Sequence, residues 1–205
     1  MTGKFKTSGW SKWMFPHILW EIKTAQKEVY LTFDDGPTPG ITENVLDLLK
    51  QSGMQATFFC LGERVIQYPA LAERIRKEGH TMANHGFQHI NGFSLRRSAY
   101  LQNAVLGAAI CQSNLFRPPY GKMWPWYLAW IKNRYTVVNW SLISWDFDKR
   151  IPIQESLDQM KRNLYPGAIY LFHDSEEASS RLSILLPELV TYLQKNDYTS
   201  RSIVL

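Results

Sequence analysis

Two adjacent carboxylates, Asp34 and Asp35, lie in the stretch TFDDGP, between an apolar run and a glycine–proline dipeptide. Asp-Gly and Gly-Pro are common turn dipeptides, so a purely structural turn is the simplest explanation for this motif. A second polar motif, NHGFQH, contains His85 and His89 four residues apart, which brings two imidazoles to one side of a helical turn. Such a pair is a weak signal by itself, because histidines in loops are more often solvated than bound to a metal.

A carboxylate delivered from another strand end would complete a ligand set of two histidines and one aspartate. Such a set leaves coordination positions on a divalent cation open for water and substrate. We therefore predict a site for one divalent metal ion. Zinc is the expected ion, and cobalt and nickel are alternatives, because mixed nitrogen–oxygen ligand sets accept all three.

Strand and helix patterns alternate almost throughout the chain. Strands are predicted at 28–33, 56–61, 80–84, 115–117, 135–142, 168–172 and 202–205, and helices at 41–49, 69–78, 94–111, 124–133, 153–164 and 180–195. Repeated strand–helix units predict an α/β fold with parallel strands and outer helices, either a barrel or a doubly wound sheet.

In such a barrel, catalytic residues come from the carboxyl ends of the strands and the loops that follow them. The unusual polar residues of this chain fall at such positions: Asp34, Asp35, His85, His89, Arg117, Asp146, His173 and Asp174. A structural turn gives no reason for that distribution, so the pattern favours an active site on one rim. His80 lies at the start of its predicted strand, away from that rim, and we predict a structural role for it.

Composition bounds the class of protein. With 205 residues, 45% of them apolar and 20% charged, the chain suits one globular domain with a sizeable core. The net charge is +5, but the basic residues are scattered, so nucleic acid is not an expected partner. Cys60 and Cys111 show no metal-binding spacing and imply no disulfide framework; Cys60 is predicted to be buried.

The N-terminal region contains an apolar stretch at 13–20, interrupted by proline and histidine and without a small-residue cleavage site. It does not fit a signal peptide, and no apolar run reaches the ~20 residues of a transmembrane helix. We therefore expect a monomer in the cytoplasm or peripheral at the cytoplasmic membrane face. Lysines near the aromatic residues Trp10, Trp13, Phe15 and Trp20 leave peripheral membrane contact open, although packing of these aromatic residues against the base of the domain is favoured.

Together, the motifs resemble the polysaccharide deacetylases of carbohydrate esterase family four, relatives of chitin and peptidoglycan N-deacetylases. The resemblance runs from Val29 to the C-terminus through TFDDGP, the H-x-x-x-H pair, R-P-P-Y, a Trp/Asp segment and L-F-H. It implies a distorted, incomplete (β/α) barrel, with 28–205 as a single catalytic domain and 1–27 as an extension packing on it. It also implies a metal-dependent hydrolase that removes N-acetyl groups from an N-acetylated sugar or polysaccharide.

The resemblance gives the two aspartates different roles. Asp35 would bind the metal together with His85 and His89. Asp34 would be the general base that takes a proton from the metal-bound water, and Arg117 would hold Asp34 by a charge-assisted hydrogen bond.

The resemblance also implies an acid and a substrate site. His173 would be the general acid for the leaving amine, with Asp146 supporting its protonated form, and the backbone N–H of Tyr120 would help to stabilise the oxyanion. The residues expected to bind substrate are Pro119, Tyr120, Leu171, Phe147 and Trp140.

Three positions depart from the family pattern. Gly86 stands where the family usually has Ser or Thr, and Ile143 and Phe147 stand in the fourth motif where Asp and Trp are usual. Asp148 competes with Asp146 for the acid-supporting role, and Asp146 is preferred. No departure removes a ligand, base or acid, so an active enzyme is expected. The alternatives are a hydrolase of a non-sugar C–N bond and a catalytically silent carbohydrate-binding protein.

Overall fold

The computed structural model describes residues 5–204. The strands in this part of the chain are β1 (Ile18–Leu19), β2 (Glu28–Asp34), β3 (Ala56–Cys60), β4 (Thr81–Asn84), β5 (Leu115–Phe116), β6 (Thr136–Val138), β7 (Leu142–Ile143), β8 (Ile169–His173) and β9 (Thr199–Ser200). The α-helices are α1 (Gly9–Met14), α2 (Ile41–Ser52), α3 (Gly62–Gln67), α4 (Pro69–Lys77), α5 (Arg97–Cys111), α6 (Pro125–Ile131), α7 (Ile153–Arg162) and α8 (Ser179–Lys195).

Eight of these strands form one curled parallel sheet in the order β1-β6-β5-β4-β3-β2-β8-β7, and β9 pairs with the start of β2. Helices cover the outer face. The fold is therefore the distorted, incomplete (β/α) barrel that the sequence predicted. Such parallel strands are buried on both faces, which explains why β2, β3 and β8 read as continuous apolar runs.

Alternate residues of β2 separate the two layers of the core. Phe33 faces the helices and stacks between Phe58 and Phe172, with ring centroids 5.0 Å and 5.8 Å away. Tyr30 belongs to a second apolar cluster that also contains Phe59, Val138 and Ile169 from other strands of the sheet. Because successive side chains of a strand point to opposite faces, Thr32 and Asp34 share the Tyr30 side. Asp34 therefore ends a column of side chains directed into the barrel.

Local sequence signals explain several element boundaries. Pro69 occupies the first position of α4, where a backbone N–H would make no hydrogen bond within the helix, so its absence in proline costs nothing. Gly79, just beyond the helix, has a φ of +83°, a left-handed conformation that glycine adopts without steric cost. His80 accepts a hydrogen bond from the Ala56 N–H at Nδ1, at 3.2 Å, and is buried, in agreement with the structural role expected for it.

The predicted strand at 135–142 is wrong, because this run forms two separate strands. β6 pairs with β5 and β1, whereas β7 pairs with β8 at the other end of the sheet. Only residues 139–141 join them, which is possible because the sheet curls until its two ends are near each other. Apolar periodicity does not reveal such a crossing.

The predicted strand at 202–205 is also wrong over its described residues, because 202–204 are irregular and the pairing lies earlier, in β9. Ile203 is nevertheless buried, and its N–H donates to Thr57 Oγ1 at 2.8 Å. Leu205 lies outside the described residues. Three short elements, α1, β1 and α3, had no counterpart in the sequence prediction.

The N-terminal segment pairs with strands near both ends of the curled sheet. Phe5 is buried, and Lys6 forms an antiparallel bridge with Leu142 of β7. Farther along, β1 extends the sheet beside β6. The expected packing of the N-terminal aromatics against the base is wrong for the tryptophans, because Trp10 and Trp13 are exposed and Trp20 lines a cleft on the opposite rim. Phe15 does pack against an apolar cluster of the domain. Over residues 5–204, the helices are too short or too polar to cross a lipid bilayer.

Candidate active site

The two aspartates of TFDDGP occupy different environments at the end of β2. Asp34 is buried in regular strand, and its Oδ1 accepts a 2.6 Å hydrogen bond from Arg117. Asp35 has a φ of +81°, in the left-handed region, so its side chain departs from the strand's alternation. Its Oδ1 lies 3.3 Å from His89 Nε2 and 3.6 Å from His85 Nε2. The two carboxylates therefore have different partners, although Asp34 Oδ2 also lies 3.7 Å from His85 Nε2.

Arg117, which follows β5, fixes Asp34 in place. Its guanidinium is fully buried and also donates to Thr32 Oγ1 at 2.8 Å. The carbonyl oxygens of Val138 and Asn139 accept its remaining hydrogen bonds at 3.2 Å and 3.0 Å. Because the fork of donors is planar and rigid, four acceptors from two parts of the chain hold it in one orientation. Asp34 is thereby presented as an oriented, ion-paired carboxylate.

His85 is held with one ring nitrogen free to act as a ligand. Its Nδ1 lies 2.8 Å from the carbonyl oxygen of Arg117, so Nδ1 carries the proton and donates it. Burial lowers the pKa of His85, although the nearby charges of Asp34 and Asp35 oppose that shift. The neutral imidazole therefore keeps a lone pair at Nε2, on the side that faces Asp35.

The side chains of Asp35, His85 and His89 fit a divalent metal ion. One ligand atom from each lies within 4.8 Å of the other two. Asp35 Oδ1 is buried and has no hydrogen-bond donor in the described part of the chain, which is costly for a carboxylate unless a cation satisfies it. Nitrogen and oxygen donors of this type suit zinc and its neighbours in the first transition row.

We expect the wild-type protein to bind one equivalent of divalent metal, and His85→Ala and His89→Ala each to lose most of it. Each change would remove one of three candidate ligands, and the remaining pair should hold a cation far less tightly. Elemental analysis after dialysis against zinc, with the exposed His17→Ala as a matched control, checks this. Full metal occupancy in both variants would contradict the assignment.

The loop that carries His89 is fixed by amides from β4 and α5. Asn84 accepts the Gly86 N–H at 2.8 Å, and Asn103 bonds both the N–H and the carbonyl of Gln88. Gly86 has a φ of +92°, and a Cβ there would lie 2.6 Å from Asn103 Nδ2. Ser or Thr would therefore be strained and crowded at this position, and Asn103 provides the restraint in this chain.

His173, at the end of β8, is paired with Asp146, which follows β7. Its Nδ1 lies 2.8 Å from Asp146 Oδ1, and its backbone N–H donates to Asp146 Oδ2 at 2.7 Å. Burial of the ring disfavours the imidazolium, but the charge of Asp146 and this hydrogen bond outweigh it and raise the pKa of His173 to about 9. Asp148 instead bonds the side chain and N–H of Arg150.

Asp174 supports the loop after Asp35. Its buried carboxylate accepts the Gly36 N–H at 3.0 Å and the Thr42 hydroxyl at 2.5 Å. Burial raises the pKa of Asp174 to about 7, although the bond from Thr42 works in the opposite direction. A Cβ on Gly36 would lie 2.0 Å from Asp174 Oδ2, so only glycine allows this approach. Asp174 is thus placed to hold the turn.

A cleft of about 650 Å³ joins these groups. Asp34, Asp35, His85, His89 and His173 all line it. Of the residues expected to bind substrate, four also line it: Tyr120, Trp140, Phe147 and Leu171. Pro119 is buried in the same three-residue turn as Tyr120. Arg117 and Asp146 lie behind the wall, in contact with Asp34 and His173.

One part of the cleft wall was not predicted from the sequence. The N-terminal segment contributes Lys6, Thr7, Ser8, Ser11 and Trp20. Thr7 donates its hydroxyl to the Trp140 carbonyl at 2.6 Å, which ties this segment to the rim. The segment has no periodic strand pattern and no motif, because it reaches the site through pairings of one or two residues. Trp20 was the only signal, and its position in the fold was misjudged.

The family comparison covers more than half of the chain. Residues 21–137 match the model of the family described as polysaccharide deacetylase. The chain belongs to the polysaccharide deacetylase family. It is a hydrolase that acts on carbon–nitrogen bonds other than peptide bonds.

Relatives of this polysaccharide deacetylase agree over most of its length. A peptidoglycan-N-acetylglucosamine deacetylase of Bacillus cereus (strain ATCC 14579) is 32% identical, over 89% of each chain. The peptidoglycan-N-acetylmuramic acid deacetylase PdaA of Bacillus subtilis (strain 168) is 33% identical, over 88% of this chain and 71% of that protein. Among solved structures, the Bc1960 peptidoglycan N-acetylglucosamine deacetylase superposes with a TM-score of 0.80, at 26% identity over 94% of each chain.

Proposed function

We propose that this polysaccharide deacetylase hydrolyses the N-acetyl amide of an N-acetylated sugar or polysaccharide, releasing acetate and leaving a free amine. The observation that carries the proposal is that one cleft contains a carboxylate oriented as a base and a histidine poised as an acid. Asp34 is ion-paired to Arg117, whereas His173 is paired to Asp146 and protonated at neutral pH. Binding alone needs neither group, which argues against a silent carbohydrate-binding protein.

The ligand set supports metal dependence. Asp35, His85 and His89 would hold one divalent ion, and zinc is the proposed metal. When bound, such an ion polarises the amide carbonyl and brings the pKa of water from ~16 toward ~7. Members of the wider superfamily that act on non-sugar C–N bonds usually have altered metal motifs, so the intact set of this chain argues against such a substrate.

Two side chains would carry out the two proton transfers, Asp34 as the base and His173 as the acid. Asp34 takes the proton of the attacking water, and Arg117 keeps the carboxylate in its reactive orientation. An amide anion is a very poor leaving group, so the departing nitrogen needs a proton. His173 supplies it from the imidazolium, whose charge Asp146 supports. The backbone N–H of Tyr120 is the proposed donor to the developing oxyanion.

Apolar side chains of the cleft suit the acetyl group. Leu171 and Phe147 lie beside His173 in the cleft wall, and the Phe147 ring meets the His173 ring edge-on with centroids 4.9 Å apart. Trp140 and Ile143 line the same region. We propose that these residues enclose the acetyl methyl and that the polar remainder of the cleft meets the sugar.

We further propose that 28–205 form one catalytic domain, and that the preceding residues act as an extension on it. The pairing of Lys6 with Leu142 and of β1 with β6 supports that arrangement for the described part of the extension. A monomer in the cytoplasm, or at the cytoplasmic membrane face, stays a prediction.

We expect the zinc- or cobalt-loaded protein to release acetate from chitooligosaccharides or peptidoglycan fragments, with one new amine for each acetate. Acetate is measured enzymatically, and the amine is measured by mass spectrometry as a loss of one acetyl group. Protein stripped of metal by a chelator serves as the control. Binding of these glycans without acetate release would support the silent binding protein, and turnover of non-sugar amides alone would support the other hydrolase.

A further inference from the structure

Three aromatic side chains form an exposed cluster beside the catalytic cleft. Phe93, Trp124 and Trp126 are 45%, 36% and 54% exposed. The Trp124 and Trp126 rings are stacked, with centroids 4.5 Å apart and planes 13° apart, and the Phe93 ring meets Trp124 edge-on at 4.7 Å. We refer to these three residues as the aromatic platform. Contiguous exposed apolar surface of this kind usually marks a binding site.

The platform is built on the two loops that form this side of the catalytic cleft. Phe93 lies four residues after His89, and Trp124 lies two residues after Lys122, which lines the cleft. The loops are joined by a bridge between Gly92 and Met123, and a Cβ on Gly92 would lie 2.7 Å from the Lys122 carbonyl oxygen. This close approach makes the platform continuous with the cleft wall.

A second contact links the platform side to the metal-binding residues. The Tyr120 ring is 56% exposed and lies edge-on to the His89 ring, with centroids 4.5 Å apart. Tyr120 and the platform residues Trp124 and Trp126 therefore lie in one short stretch of chain beside the cleft. The exposed side chains on this stretch of chain are mostly aromatic, and Lys122 is the charged residue between Tyr120 and Trp124.

A sugar ring matches these surfaces chemically. A pyranose in the β-linked chair form presents C–H groups on its faces and hydroxyls at its edge, so a face can pack on an aromatic ring while the hydroxyls stay in water. Trp combines a large apolar face with an N–H donor, which suits a contact that is apolar on one side and exposed to water on the other. The exposed pair Trp10 and Trp13 is placed differently. Ser11 lines the cleft, and Trp13 lies roughly 200° around α1 from it, so Trp13 points away.

We propose that the aromatic platform is a glycan subsite, which binds a sugar residue next in the chain to the N-acetylated residue in the catalytic cleft. The proposal rests on the proposed deacetylase function and extends it. It makes the preferred substrate an oligosaccharide or polysaccharide, not a monosaccharide, because only a chain reaches both places. The platform would stabilise the bound chain mainly before the chemical step, so its loss should raise KM more than it lowers kcat.

The test compares Trp126→Ala with Trp13→Ala, since both residues are exposed tryptophans that can be truncated without opening the core. Binding of N-acetylglucosamine tetramer and monomer to the zinc-loaded proteins is measured by calorimetry, and kcat/KM is measured for the same sugars. We expect Trp126→Ala to lose about five- to tenfold in tetramer affinity and kcat/KM, with monomer values within about twofold of wild type. Trp13→Ala should match wild type for both sugars.

The calorimetric binding measurements test the subsite independently of the proposed deacetylase activity. If no sugar is deacetylated but Trp126→Ala still weakens tetramer binding selectively, the subsite stands and the deacetylase assignment fails. Equal losses for tetramer and monomer, no loss in Trp126→Ala, or no tetramer binding by wild type would each overturn the subsite. It would also be overturned if Trp126→Ala abolished sedimentation with phosphatidylglycerol vesicles while leaving tetramer binding intact.

Discussion

Asp34→Asn is expected to lower kcat by roughly 10²- to 10⁴-fold while the protein still binds one equivalent of metal. The amide has nearly the shape of the carboxylate and can still contact Arg117, but it cannot accept the proton of the attacking water. Other side chains are the proposed metal ligands, so the affinity for the metal should change little. Turnover measured by acetate release, alongside zinc content by elemental analysis, gives both quantities on the same sample.

Asp35→Asn is the matched counterpart, and its effect should fall on the metal. The change removes a negative charge from the ligand set but leaves a residue that tolerates the left-handed backbone of position 35. We expect weaker zinc binding, with part of the activity restored by excess zinc, whereas excess zinc should not restore Asp34→Asn. Equal loss of metal in the two variants would show that the aspartates do not divide the roles of base and ligand.

Asp146→Asn is expected to move the alkaline limb of the kcat/KM profile down by more than two pH units. His173 must be protonated to donate to the leaving amine, and its raised pKa of about 9 sets the upper end of the active range in wild type. Without the charge of Asp146, burial still opposes the imidazolium, and only the weaker effects of the Asp35 and Asp34 charges favour it. The pKa of His173 should therefore fall to about its ordinary 6.5 or below. At pH 8 the protonated fraction would then drop roughly 30-fold.

Asp148→Asn provides the control, because Asp148 holds Arg150 and Asp146 contacts His173. We expect the alkaline limb of Asp148→Asn to coincide with that of wild type. Circular dichroism of both variants establishes that they are folded before the profiles are compared. A limb that moves in Asp148→Asn but not in Asp146→Asn would transfer the supporting role to Asp148.

The parts of the fold that the sequence predicted well are those with long regular signals. β2, β3 and β8 are apolar runs buried on both faces, and α4 carries proline at its start and glycine beyond its end. The division of 135–142 into β6 and β7 was not predictable in this way. Both pieces are apolar, and what separates them is the curl of the whole sheet, a tertiary property without a local pattern.

The candidate site shows the same contrast. Asp34, His85 and His173 lie in motifs at strand ends, and the structure brings them to one cleft. The platform and the N-terminal wall lie outside those motifs, since Trp124 and Ser11 owe their positions to loop–loop and segment–sheet pairings. Arg117 could be named as a partner of Asp34, but its bonds to Val138 and Asn139 depend on how the sheet curls.

The left-handed backbone at Asp35 also restricts how this enzyme could evolve. Aspartate and asparagine are among the few residues that visit that conformation readily, whereas longer or branched side chains meet steric strain there. A mutation to glutamate or histidine would offer a chemically suitable ligand but in a backbone that resists it. Adaptation to a different metal ion is therefore more accessible through changes around the two histidines than through replacement of the carboxylate. Backbone geometry, as well as chemistry, therefore restricts which ligand position 35 could supply.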